Sequence, residues 1–135
     1  MSDEGKPTIY PFLRYDDAAA ALDWLERAFG FERVAVMEGE NGRIDHAELR
    51  IGSGMLMLGS TRDRFEVKTP QEAGAVTAGI YVIVDDADAH HERAREAGAE
   101  IVQELTDQPY GSRDYSARDP EGHLWHFGTY RPTVE

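Results

Sequence analysis

The apolar and polar positions run through the same order twice. Between residues 18 and 29 the apolar positions Ala18, Ala21, Leu22, Leu25, Ala28 and Phe29 recur at the three- and four-residue spacing of one helical face. Asp16 or Asp17 stands where an N-cap belongs, and Gly30 where a left-handed helix end favours glycine. Ahead of this helix, Thr8–Tyr15 reads as a strand that Pro11 restricts to an edge or a bulge. Behind it, Glu32–Glu38, Ile44–Ile51 and Met55–Leu58 read as strands, separated by the turn signals Glu40-Asn41-Gly42 and Gly52-Ser53-Gly54. The second half opens with the β-branched strand Ala78–Val84. Asp85 or Asp86 then caps a helix with the weaker stripe Ala87, His90, Ala94 and Ala97, ended by Gly98. Strands at Glu100–Leu105, Arg113–Arg118 and His123–Thr129 follow, the last two joined by the tight turn Asp119-Pro120-Glu121-Gly122.

The repeat shows in the letters as well. Asp16-Asp17-Ala18-Ala19-Ala20 returns as Asp85-Asp86-Ala87-Asp88-Ala89, an offset of 69, and Arg27 through Glu32 returns as Arg95 through Glu100, one residue out of step. The expected fold is therefore α+β: two tandem βαβββ modules, at 8–60 and 75–131, joined by a polar connector at 61–74 that carries Arg62, Asp63, Arg64, Glu66 and Lys68. A unit of about 60 residues is marginal as an independent core. The two modules are thus expected to pack as one domain, with a ligand cavity at their junction.

Composition narrows the function. A formal charge of −12 disfavours nucleic acid and acidic membrane surfaces as partners. The absence of cysteine excludes disulfides and thiolate chemistry. The start Met1-Ser2-Asp3-Glu4-Gly5 lacks a basic segment followed by an apolar run, so a cytoplasmic protein is expected. The sequence carries no nucleophile elbow, phosphate loop or dinucleotide glycine motif.

The doubled βαβββ order resembles the vicinal oxygen chelate superfamily, the fold of glyoxalases, bleomycin-resistance proteins and extradiol dioxygenases. The resemblance rests on Tyr15-Asp16-Asp17 through Phe31, His46 through Gly52, Val82 through Ala99, Tyr110-Gly111-Ser112-Arg113, and Asp119-Pro120-Glu121-Gly122-His123-Leu124-Trp125. It implies that the two sheets, each covered by its helix on one face, curl around a shared cavity, and it implies a homodimer, sometimes formed by exchange of half-units. It also implies one divalent metal, held by residues of the first and last strands of each half. Those positions fall on Tyr10, Gly79, His126, and either Met57 or Leu58. Of these only His126 is a comfortable ligand, where about three are needed.

Strand alternation places His46, Glu48 and Arg50 on one face and Ala47, Leu49 and Ile51 on the other. His46 and Glu48 with His126 form the alternative metal set. In the preferred reading Glu48 and Arg50 neutralise each other, and no cofactor is expected. The anticipated ligand-lining residues are Tyr10, Phe12, His46, Glu48, Met57, Tyr81, Arg113, Tyr115 and His126, with Gly79 leaving room for the ligand. Arg113 suits an anion, or else a strand salt bridge with Asp114 or Asp107. His90-His91-Glu92 lacks the second histidine of a zinc-protease helix, because position 95 is Arg95, and it reads as a solvated surface. Trp125 and Phe127 are expected in the core, and Trp24, off its helical stripe, at a subunit contact. The favoured function is metal-free capture of an aromatic or drug-like molecule. The alternative is a metal-dependent lyase, isomerase or dioxygenase, with His126 and Glu48 as the catalytic candidates.

Overall fold

The computed structural model describes residues 5–63, 65 and 67–133. The start Met1–Glu4 and the connector charges Arg64 and Glu66 lie outside the described residues. The chain divides into two units, Met1–Thr69 and Pro70–Glu135. Unit one contains β1 (Phe12–Tyr15), α1 (Ala18–Phe29), β2 (Glu32–Glu38), β3 (Ile44–Ile51) and β4 (Gly54–Ser60). Unit two contains a one-turn helix α2 (Pro70–Ala73), then β5 (Gly79–Ile83), α3 (Ala87–Glu96), β6 (Glu100–Asp107), β7 (Arg113–Arg118) and β8 (Leu124–Gly128). The sheets have matching orders, β1-β4-β3-β2 and β5-β8-β7-β6. In each, the first strand runs parallel to the last and the other pairs are antiparallel. This is the expected α+β architecture of tandem modules. Among the described residues no helix is long and apolar enough to cross a membrane.

Local chemistry fixes the helix starts alike in both units. The Asp17 carboxylate accepts from Ala20 N at 3.1 Å, and that of Asp86 from Ala89 N at 3.0 Å. Gly30, at φ 86°, closes α1 with its N–H donating to Glu26 O and that of Phe31 donating to Leu25 O. β1 is shorter than Thr8–Tyr15 because Pro11 has no N–H to give. Pro11 keeps only its carbonyl in the ladder, accepting from Met57 N at 3.0 Å.

One face of the first sheet is buried under α1, where Leu22, Leu25, Ala28 and Phe29 meet Ala47, Leu49, Leu56 and Leu58 in a fully closed core. Each such leucine is worth about 1.5–3 kcal/mol of transfer free energy. Trp24 belongs to this core, edge-on to Phe29 at 4.8 Å between ring centroids. That corrects its expected place at a subunit contact: an indole is wide enough to reach the core from the flank of the stripe.

Unit two is closed differently. Only Ala87 and Ala94 of α3 are buried, yet Tyr115, Ala117, Trp125 and Phe127 beneath it have no exposure. Histidines fill the space. His90 lies 4.3 Å from the Phe127 ring, with Nδ1 2.5 Å from Tyr115 Oη. His91 meets Tyr115 edge-on at 5.1 Å, is only 12% exposed, and pairs with Glu104 at 2.9 Å. The expected solvated surface is thus an imidazole-lined contact, because alanines alone cannot span the distance to the aromatic floor. Below it, Asp119 anchors the β7–β8 turn: its carboxylate accepts from Glu121 N, His123 N and Trp125 Nε1, each at 3.1 Å.

Candidate functional site

Each sheet has a second face that no helix of its own unit covers, and most of the chemistry-bearing side chains stand there. In unit one the register sets Phe12 beside Met57 and Met57 beside Glu48; one step along, Arg14 lies beside Gly59 and Met37 beside His46. Leu58 is fully buried on the helix side, so the position left open between Met57 and Leu58 is Met57. Phe12 is 41% exposed. The Arg14 guanidinium sits 4.4 Å from its ring centroid and donates to Ser60 O at 3.2 Å. His46 Nε2 and Glu48 Oε2 are 2.9 Å apart. Arg50 does not neutralise Glu48, as expected; it pairs with Glu32 at 3.2 Å across the strand. The face therefore offers the Phe12 ring, the thioethers of Met37 and Met57, and the polar groups of Arg14, His46 and Glu48. Tyr10 precedes β1 and lies outside this ladder.

In unit two the corresponding row runs Tyr81, His126, Ser116 and Gln103. His126 Nδ1 is 2.7 Å from Ser116 Oγ. Its Nε2 leans over Gly79, where a Cβ would come within 2.8 Å. Gly79 makes room, as expected, but for the imidazole of His126. Tyr81 is seated similarly: its hydroxyl lies over Gly128, where a Cβ would come within 2.8 Å, and donates to Tyr130 O at 2.6 Å. Ser116 was missed by sequence reasoning. Once β7 and β8 are paired, its alternation with Tyr115 and Ala117 gives it away.

Arg113 and Tyr115 do share a face, but it is the helix face, away from His126. Tyr115 is fully buried against His90, and burial pushes its phenol above the ordinary range. Arg113 donates to Asp88 at 3.0 and 3.1 Å and to Asp107 at 3.1 Å, which raises its pKa. Both therefore stand apart from the ligand-lining set: alternation tells which residues share a face, not which face the helix covers.

The donor set does not suit the divalent metal that the fold implies. The four positions supply a phenol at Tyr10, nothing at Gly79, a thioether at Met57 and an imidazole at His126, where a hard cation needs several oxygen or nitrogen ligands. The Gly79 position is further closed by His126 itself. Among the described residues no three His, Asp or Glu side chains group as a metal site.

Comparison with known proteins agrees with the fold. An uncharacterized protein of Mycobacterium bovis is 36% identical over 131 residues, 95% of this chain and 86% of that protein. The crystal structure of TioX from Micromonospora sp. ML1 is 37% identical, covers 96% of this chain and all of that one, and superposes with a TM-score of 0.73. A glyoxalase/bleomycin resistance protein from Streptomyces sp. CB03234, 18% identical over 87% of this chain and 96% of that one, shares the fold at a TM-score of 0.64. With residues 9–127 matching the family throughout, the chain belongs to the Glyoxalase/Bleomycin resistance protein/Dioxygenase superfamily.

Proposed function

We propose that this chain binds a small aromatic or drug-like molecule against its helix-free sheet faces, without the divalent metal of its enzymatic relatives. The observation that carries the reading is the unit-one row, where Phe12 and Met57 lie uncovered between the Arg14 guanidinium and the His46–Glu48 pair. Apolar surface beside a few fixed polar groups is the composition of a small-molecule site, and apolar patches left open on a folded sheet mark interaction surfaces. Tyr81 and His126 give unit two a similar pairing of ring and polar group. A homodimer in the cytoplasm, the state expected from the sequence, is part of the proposal; light scattering at micromolar concentration checks the dimer.

Thermal-shift titration against a panel of aromatic ligands tests the binding. A true ligand raises stability with concentration, by about 2.7 kcal/mol at a hundredfold excess over Kd. Phe12→Ala abolishes that shift while leaving the unliganded protein folded. A panel without shifts, together with chelator-sensitive turnover of a hemithioacetal or catechol, would refute the proposal. A second reading, acid–base catalysis, is favoured by one observation: Ser116 orients His126 so that Nε2 stays on the helix-free face. His126→Gln then removes turnover and leaves ligand-dependent stabilisation largely intact.

A further inference from the structure

We propose that unit two carries a separate site for an organic monocarboxylate, in the recess between α2 and the β7–β8 turn. The recess is an open cleft of about 400 Å³, within the size range of small-molecule sites. Pro70, Val76 and Pro120 supply apolar wall, and Gln71 and Arg118 supply polar groups. The wall is built rather than incidental. Gln71 N donates to Glu121 O at 3.1 Å, tying α2 to the turn, and Gly122 packs so closely that a Cβ would lie 3.1 Å from Gln71 N and 3.2 Å from Pro70 Cβ.

Arg118 decides the chemistry. Arg113 and Arg33 are held by several hydrogen bonds to carboxylates. Among the described residues Arg118 has none; Glu100 Oε2 is 3.7 Å from its Nε, an ion pair too long to count as a hydrogen bond. Its planar fork is therefore available to a carboxylate, which it would bind through two parallel N–H···O contacts. The charge balance selects among anions. Asp119 also lines the recess, its carboxylate already committed to Trp125 Nε1 and two backbone N–H groups. With Glu100 and Asp119 both facing the recess, every anion meets two negative neighbours, and a dianion such as phosphate is repelled about twice as strongly as a monoanion. The apolar walls then favour an organic group behind the carboxylate. The site does not depend on the binding faces proposed above.

NMR titration of the full chain with benzoate, its neutral analogue benzamide and inorganic phosphate tests the site at fixed ionic strength. Benzoate is expected to shift the amides of Gln71, Val76 and Gly122 and the Nε–Hε resonance of Arg118, and to bind about tenfold tighter than benzamide, a difference of about 1.4 kcal/mol. Arg118→Gln removes that preference. Glu100→Gln strengthens benzoate binding by removing the competitor. Equal binding of benzoate and benzamide overturns the proposal, as does tighter binding of phosphate, retention of the preference in Arg118→Gln, or shifts centred on Phe12 or Tyr81. Arg50→Gln, an exposed charge of unit one, leaves every value unchanged.

Discussion

The two helices begin on the same device and are held by different chemistry. With the caps Asp17 and Asp86 aligned, Ala18 matches Ala87, Ala21 matches His90, Leu22 matches His91 and Leu25 matches Ala94. In unit one these positions are apolar and buried under α1. In unit two the leucines have become an alanine and a histidine, and the aromatic rings have moved to the sheet, at Tyr115, Trp125 and Phe127. A duplicated unit can thus keep its caps and its strand order while the bulk crosses from helix to sheet. The consequence is a unit one cemented by transfer free energy and a unit two cemented partly by hydrogen-bonded imidazoles.

The largest expected effect breaks this contrast from the apolar side. Leu25→Ala gives α1 the residue that α3 already has, but without the aromatic floor to fill the space. It is expected to cost about 2–5 kcal/mol, read by urea denaturation. Hydrogen exchange should localise the loss to residues 18–60. A cost under 1 kcal/mol would mean that the first sheet repacks as the second has.

Next comes the polar side, through pH. Burial raises the Tyr115 phenol above its unfolded value near 10. Below that value the folded and unfolded states are equally protonated and the contribution of Tyr115 is fully present. Above it the unfolded chain ionises first, so the folded state holds the extra proton and stability falls as pH rises, by up to about 1.4 kcal/mol per pH unit. Tyr115→Phe should flatten the alkaline slope of unit two and cost stability at neutral pH, since it removes the partner of His90 Nδ1. An unchanged slope would place the phenol in contact with solvent.

The capping carboxylates should sharpen the comparison by showing no difference. Asp17→Ala and Asp86→Ala each delete one bond of near-equal length to the third residue beyond the cap. Each is expected to cost about 1 kcal/mol in denaturant titration, and amide exchange should quicken only in the first turn of the helix concerned. Unequal costs would show that the surrounding core, rather than the cap, sets the helix start.

These positions also mark what could be read in the sequence. The caps, the Gly30 stop, β2, β3 and β7 were legible because their signals are local: a side chain bonding three residues away, a left-handed glycine, a period of two. The histidines of α3 were not. His90 fell on the stripe, yet the pair still read as solvated surface, because its packing depends on Tyr115 and Phe127, about 25 and 37 positions along the chain. The site divides in the same way. Phe12, His46, Glu48 and Met57 follow from alternation and fall on one helix-free face, as Tyr81 and His126 do on the other. Arg113 and Tyr115 failed because β7 could have turned either face to α3. Gly79 needed the tertiary contact with His126 to acquire a meaning.

The smallest effect asks whether the imidazoles are there for packing alone. His91→Leu restores to α3 the residue that Leu22 provides in α1. It removes a half-exposed ion pair with Glu104, of a kind worth about 0–1 kcal/mol, and adds an apolar side chain at a position already 12% exposed and seated against the Tyr115 ring. The two terms oppose each other, and the apolar one is the larger because the leucine is almost wholly enclosed. A gain of about 0.5–1 kcal/mol is therefore expected, read by urea denaturation. His90→Leu should behave oppositely and destabilise, since it removes the close Nδ1 partner of the buried Tyr115 hydroxyl and leaves it the longer 3.3 Å bond to the backbone carbonyl of residue 90. If both variants stabilise, the second interface differs from the first only in the residues it happened to inherit. If the two separate in sign, His90 holds unit two through its bond to Tyr115 and His91 through its volume.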